Sequence, residues 1–184
     1  MILYRCFAWA RSVRETEPDG PRWFPRIFQG EGRHDNPEVY GCLYLADSEV
    51  SAVVEQLARF RGRDLVPELL TRRGLPLAIA ALELPDRAEV IDLDDAAVLS
   101  AHDLRPSRVA TRRRDVTQPQ ALALYRRWRF AAGLRWWSVF EALWANFTIF
   151  DRAERRLTLA AIRALEVDDP AVADAGDILG LGRG

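Results

Sequence analysis

The chain has 184 residues, 49% of them hydrophobic and 29% charged, with a formal net charge of -1. That length suits one core and is short for two, and the balance of charge excludes the overall positive field that draws a protein to nucleic acid or anionic lipid. No lysine occurs: all 26 basic side chains are arginines, so Schiff-base and lysine general-base mechanisms are excluded.

Residues 2–9 alternate with a period of two, which predicts a strand with Tyr4 and Cys6 on one face and Leu3, Arg5 and Phe7 on the other. Arg5 between two apolar neighbours is expected to find an anion, because an unpaired buried charge is costly. The start of the chain lacks a continuous apolar signal core, and no apolar run approaches the ~18 residues of a membrane span. The expected location is the cytoplasm. Residues 11–37 lose all periodicity and are punctuated by Pro18, Pro21, Pro25, Pro37, Gly20, Gly30 and Gly32. A loop of this kind inside a domain is expected to be a lid or a binding loop, and Arg33 sits near its end.

Residues 41–46 read as a short strand, after which Asp47 or Ser48 caps a helix running to about residue 61. Val50, Val53, Val54 and Leu57 form its buried stripe and Glu55 projects away from it, towards water or a cleft. Residues 77–84 and 89–93 read as strands and 95–100 as a short helix. Thr117 is expected to cap a helix through Tyr125 to about residue 132, with Pro119 in its first turn and Gly133 ending it. Strands are expected over 134–139, 146–150 and 157–165. The acidic, then glycine-rich tail after Asp168 is expected to fray. The mixture of elements argues for an α+β domain, with a folded body over 1–167 and a flexible tail over 168–184.

Cys6 and Cys42 each lie in an apolar strand and read as buried small hydrophobes, not as a disulfide or metal pair. His34 and His102 have no ligand spacing, so no metal is expected. The glycines at 180, 182 and 184 have no strand before them and no helix after them, which excludes a Rossmann dinucleotide loop. Between Tyr125 and Phe150 lies the densest aromatic region, read as core packing. Arg112, Arg113 and Arg114 are followed by Asp115 and read as a solvated turn or a patch for an acidic partner, with no direct nucleic-acid binding.

Leu3-Tyr4-Arg5, Gly32-Arg33, Leu43-Tyr44-Leu45-Ala46-Asp47, Val54-Glu55, Thr117-Gln118, Gly133-Leu134, Trp137-Ser138 and Asn146-Phe147 occur in an order and spacing that resembles the RES-domain family, over roughly residues 2 to 150. Two positions depart from it: family members commonly carry Arg-Trp-Asn where this chain has Arg33-His34-Asp35-Asn36, and a proline often precedes the serine where Trp137 stands. The resemblance implies a central mixed β-sheet flanked by helices, similar to the fold of ADP-ribosyltransferase toxins. It also implies a toxin of a toxin–antitoxin pair that consumes NAD as a substrate and is neutralised by an Xre-type helix-turn-helix antitoxin. Carried over residue by residue, Arg5, Arg33, Tyr44, Glu55 and Ser138 match the family's pocket.

The chemistry of those side chains suits that substrate. Cleavage of the nicotinamide–ribose bond passes through an oxocarbenium-like state, which a carboxylate such as Glu55 stabilises. Arginines clamp a pyrophosphate through charge-assisted hydrogen bonds, the role expected of Arg5 and Arg33. Tyr44 offers a ring for stacking and a hydroxyl, and Ser138 a hydrogen bond to the ribose or the nicotinamide amide. Each residue also has a plainer reading: Glu55 pairs with Arg59 one helical turn on, Arg5 meets a carboxylate at a sheet edge, Tyr44 is core, and Ser138 lacks a neighbour that would make it a nucleophile. The acceptor, whether water, phosphate or a protein side chain, stays open, and so does a non-catalytic module that keeps the pocket to bind a nucleotide or a protein.

Overall fold

The computed structural model describes residues 1–183. The alternating segment forms β1 (Ile2–Ala8), and the second predicted strand is β2 (Cys42–Ala46). Ser48 caps α1 (Glu49–Leu57), its side chain accepting from the Ser51 N–H. The helix is shorter than expected because a 3-10 turn over Ala58–Phe60 follows directly, and Gly62 then turns the chain at φ 77°. Two short strands the sequence reading did not expect, β3 (Asp64–Leu65) and β4 (Thr71–Arg72), precede β5 (Leu75–Glu83). After β6 (Val90–Asp92) and α2 (Ala96–Ala101), capped by Asp95, comes the further unexpected helix α3 (Pro106–Ala110).

The next helix, α4 (Arg114–Arg127), starts three residues before Thr117 and stops five before the expected end. Thr117 is therefore not its cap; buried inside the helix, its hydroxyl donates to the Arg33 carbonyl at 2.6 Å. A distant side chain closes this end. Arg152 donates to the carbonyl of Tyr125 in the last turn (2.8 Å) and to those of Trp128 (3.0 Å) and Arg129 (2.7 Å) just beyond it. Then follow β7 (Gly133–Trp137), β8 (Ala145–Phe150) and β9 (Thr158–Ala164).

The tail expected to fray instead forms α5 (Pro170–Leu179) and β10 (Gly182–Arg183). Asp169 caps α5 by accepting from the Ala171 N–H, Pro170 occupies its first turn and Gly180 ends it in the left-handed region at φ 63°. Val172, Ala175 and Leu179 bury one face of it. The local signals were strong, and the acidic composition masked them.

The fold is α+β, a mixed sheet flanked by helices, and the chain divides into two compact units. The first comprises Met1–Trp23, Leu45–Glu83 and the chain from Thr158 onward. In it β5 pairs antiparallel with β1 from Ile2↔Glu83 to Ala8↔Leu77, and on its other side with β9, with a bulge at Ala81/Leu82. Tyr4 pairs with Ala46 at the end of β2, and β10 lies parallel to β3. Val53, Val54 and Leu57 of α1 are fully buried, while Glu55 is exposed, as the stripe predicts. Burying side chains of this size is worth roughly 1.5–3 kcal/mol each.

The second unit comprises Phe24–Tyr44 and Leu84–Leu157. Here β7 pairs antiparallel with β8 and parallel with β6. Gly133 opens β7 because a Cβ there would strike the Thr148 carbonyl on β8. The core joins Tyr40, Cys42, Ile91, Leu124, Leu134 and Phe150; the rings of Tyr40 and Tyr125 stack at 4.4 Å and Phe150 meets both edge-on. The aromatic region is thus largely core, as read from the sequence. Both cysteines are free and buried.

Candidate functional site

In the second unit the site is built from the loop at residues 29–36. Asp35 is its hub: Oδ2 accepts from the Gly30 N–H at 2.8 Å and the Gly32 N–H at 2.7 Å, while Oδ1 accepts from the Tyr44 hydroxyl at 2.7 Å. The Cys42 thiol lies 3.4 Å from the same oxygen. The Tyr44 oxygen in turn accepts from the His34 N–H at 2.9 Å. Its pKa is held well above the ordinary phenol value, first by burial and then by electrostatic coupling to Cys42 and the Asp35 carboxylate.

The rest of the loop is pinned by side chains from other elements. Gln118 on α4 donates to the Gly30 and Gly32 carbonyls at 3.0 and 2.9 Å. The Gln29 amide spans the backbone of Cys42, accepting from its N–H and donating to its carbonyl. Asn36 donates to the Tyr40 hydroxyl and the Gln118 carbonyl, and the Tyr40 hydroxyl donates to the His34 carbonyl at 2.6 Å.

Arg33 leaves this loop with its guanidinium 4.6 Å from the centre of the Trp136 ring, and one nitrogen donates to the carbonyls of Val109 (2.7 Å) and Thr111 (2.6 Å). Beside it, His34 is 3% exposed, its Nδ1 is 2.8 Å from the Thr148 hydroxyl, and the Trp136 indole donates to that same hydroxyl. Burial, then the charge of Arg33, drives the His34 pKa from 6.5 down to about 3, so the ring is neutral. Ser138 lies just after β7 and is buried; its N–H donates to the Trp144 carbonyl and its oxygen accepts from the Phe140 N–H, closing a turn.

The first unit holds the other two predicted residues. Arg5 is half-buried on β1, its guanidinium 4.5 Å from the Phe7 ring. One terminal nitrogen donates to the carbonyls of Gly20 (3.0 Å) and Pro21 (2.7 Å). The expected anion is therefore replaced by two carbonyl dipoles, and burial lowers the guanidinium pKa to about 10 against the opposing pull of Asp19. Glu55 lies on the exposed face of α1.

Thus Arg33, on the loop, and Tyr44, on β2, share one hydrogen-bonded network. The reading of the sequence missed Asp35, Gln29, Asn36 and Gln118, which hold that loop together. The spacing Gly30, Gly32, Asp35 was a local signal, since an aspartate a few residues after flexible backbone amides is a natural acceptor for them. Among the described residues no group of three or more His, Cys, Asp or Glu side chains is placed to hold a metal ion, and no helix is long and apolar enough to cross a membrane.

No curated protein matches the sequence. In fold the chain is similar to one in the crystal structure of the M. tuberculosis MbcT–MbcA toxin–antitoxin complex, with a TM-score of 0.64 and 17% identity, covering 97% of this chain and 88% of that one. The RES domain matches residues 2–175, a span that takes in Arg5, Arg33, Tyr44, Glu55 and Ser138, and the chain belongs to the RES domain family.

Proposed function

We propose that this protein is an NAD-consuming enzyme that cleaves the nicotinamide–ribose bond and acts as the toxin of a toxin–antitoxin pair. The match of the RES domain to residues 2–175 carries the reading, and the similarity in fold to a chain of a toxin–antitoxin complex supports the pairing with an antitoxin. Glu55 is the carboxylate that stabilises the positive charge developing on the ribose. Arg5 and Arg33 bind the pyrophosphate. Arg5 has the capacity for it: only one of its terminal nitrogens is engaged by carbonyls, and its Nε and second terminal nitrogen meet no acceptor among the described residues. Tyr44 stacks on the nicotinamide, and Ser138 holds the ribose or the amide of nicotinamide.

Incubating the purified protein with NAD and following free nicotinamide tests this directly. Glu55→Gln is expected to lower turnover by ~10²–10³-fold, the loss of one preorganised electrostatic contact. Equal turnover by variant and parent would remove Glu55 from the mechanism. Product analysis with and without phosphate separates hydrolysis, phosphorolysis and transfer. Saturable NAD binding in calorimetry with no nicotinamide released would instead favour a binding module, the alternative raised by His34 and Trp137 at positions where the family commonly differs.

A further inference from the structure

We propose that Asp35 is the positioning residue of this site, a carboxylate that fixes Arg33 and Tyr44 in one register and leaves Tyr44 its ring, not its proton, for substrate. The inference rests on the NAD-cleaving reading for what the site does, and on the second unit alone for how it is built. Asp35 brackets Arg33 from both sides. Upstream its Oδ2 takes the Gly32 N–H at 2.7 Å; downstream its Oδ1 takes the Tyr44 proton at 2.7 Å, and Tyr44 takes the His34 N–H at 2.9 Å. The Glu31–Gly32 and Arg33–His34 peptide units therefore depend on a single carboxylate, the first directly and the second through Tyr44, and the Arg33 guanidinium leaves from that fixed base towards Trp136.

Tyr44 has a single phenolic proton, and Asp35 holds it. Its oxygen also receives an N–H, and burial keeps its pKa far above neutrality. A phenol held in this way is a poor proton donor to a leaving group and a poor base at neutral pH. What it offers is a ring whose tilt is set at the oxygen end, and a stacking surface gains affinity when it is held still before the ligand arrives. Gly32 completes the device. A Cβ there would stand 2.5 Å from the Tyr44 oxygen and 2.6 Å from Asp35 Oδ1, so the carboxylate–phenol bond is closed over a residue without a side chain.

The experiment is a double-variant cycle on the full chain, with Asp35→Asn, Tyr44→Phe and the pair together. In nicotinamide release from NAD, Asp35→Asn is expected to lower kcat/KM by about 10²-fold, the size of effect that a misplacement of about 1 Å produces. Tyr44→Phe is expected to lower it by about tenfold, and the double variant to fall no further than Asp35→Asn alone, because both substitutions break the same link. Losses that multiply, with thermal midpoints unchanged, would overturn the proposal, since residues acting separately give that result. A second measurement does not depend on activity: hydrogen exchange over residues 29–44 is expected to speed up in Asp35→Asn while β5 keeps its protection. If the parent releases no nicotinamide, the NAD reading falls and exchange alone decides. Unchanged protection of residues 29–44 would then overturn the role given to Asp35.

Discussion

Residues 11–23 and 24–40 adjoin, share a proline- and glycine-rich composition and lack periodicity, yet their means of support differ. The first stretch hangs on Arg5, whose guanidinium reaches the Gly20 and Pro21 carbonyls, and otherwise on backbone turns and exposed pairs such as Arg22 with Glu15 and Arg73 with Asp19. The second is tied at nearly every residue from 29 to 36 by buried or half-buried groups that converge on Asp35, His34 and Asn36. A loop without regular structure becomes rigid when its polar groups are matched inside the protein, where an unmatched group costs ~1–3 kcal/mol. The rigid stretch carries Arg33, and its Asp35 holds a second candidate residue, Tyr44, on the neighbouring strand.

Acidification should break the second stretch first. The His34 pKa of about 3 lies below the unfolded value of 6.5, so the unfolded chain takes up a proton that the folded one refuses. The stability this represents is fully present above 6.5 and is lost as pH falls towards 3, at about 1.4 kcal/mol per pH unit. Urea denaturation between about pH 6.5 and 4.5 is expected to show that slope, shallower in His34→Gln; identical slopes in the two proteins would take His34 out of the account. Gly32→Ala forces a Cβ against the carboxylate–phenol bond and is expected to destabilise by about 2 kcal/mol in the same assay. A cost near zero would mean that the loop yields easily.

The first stretch should respond less. Arg5→Lys keeps a cation but loses the planar head whose terminal nitrogen reaches the Gly20 and Pro21 carbonyls, and an expected loss of about 1 kcal/mol should come with faster proteolysis within residues 11–21. Cleavage spreading equally into residues 29–36 would erase the contrast. The smallest effect belongs to Glu31→Gln. The ion pair of Glu31 with Arg114 lies on the surface, with the two side chains 87% and 52% exposed, and its removal should change stability by less than about 0.5 kcal/mol.

Whereas the two-residue strands β3, β4 and β10 are too short to show a period, the longer strands and the buried stripe of α1 were legible because period-two and i, i+3, i+4 patterns register burial directly. The class of the fold followed from them, and the match of the RES domain confirms the resemblance in motif order. The end of α4 was not legible, since Arg152 lies 23 to 27 residues beyond the carbonyls it caps. The same holds for Asp35, whose weight comes from Tyr44, nine positions along the chain on a strand. The tail is a different case: Asp169-Pro170 and Gly180 announced a helix, and composition outweighed them in the reading. The strands and the helix that carry Arg5, Tyr44 and Glu55 were readable, but the partners that orient the candidate residues were not, because local spacing carries no information about contacts closed by the fold.

Arg152 gives α4 a debt to later sequence. The Tyr125 carbonyl of its last turn, and those of Trp128 and Arg129 just beyond, can be satisfied by this side chain only after the polypeptide has been made through β8 and has turned back. The last turn of α4 must therefore mature late, as part of a long-range closure and not as an autonomous helical segment. On the ribosome the helix should emerge with a ragged end and acquire its sharp stop only when the following hairpin arrives.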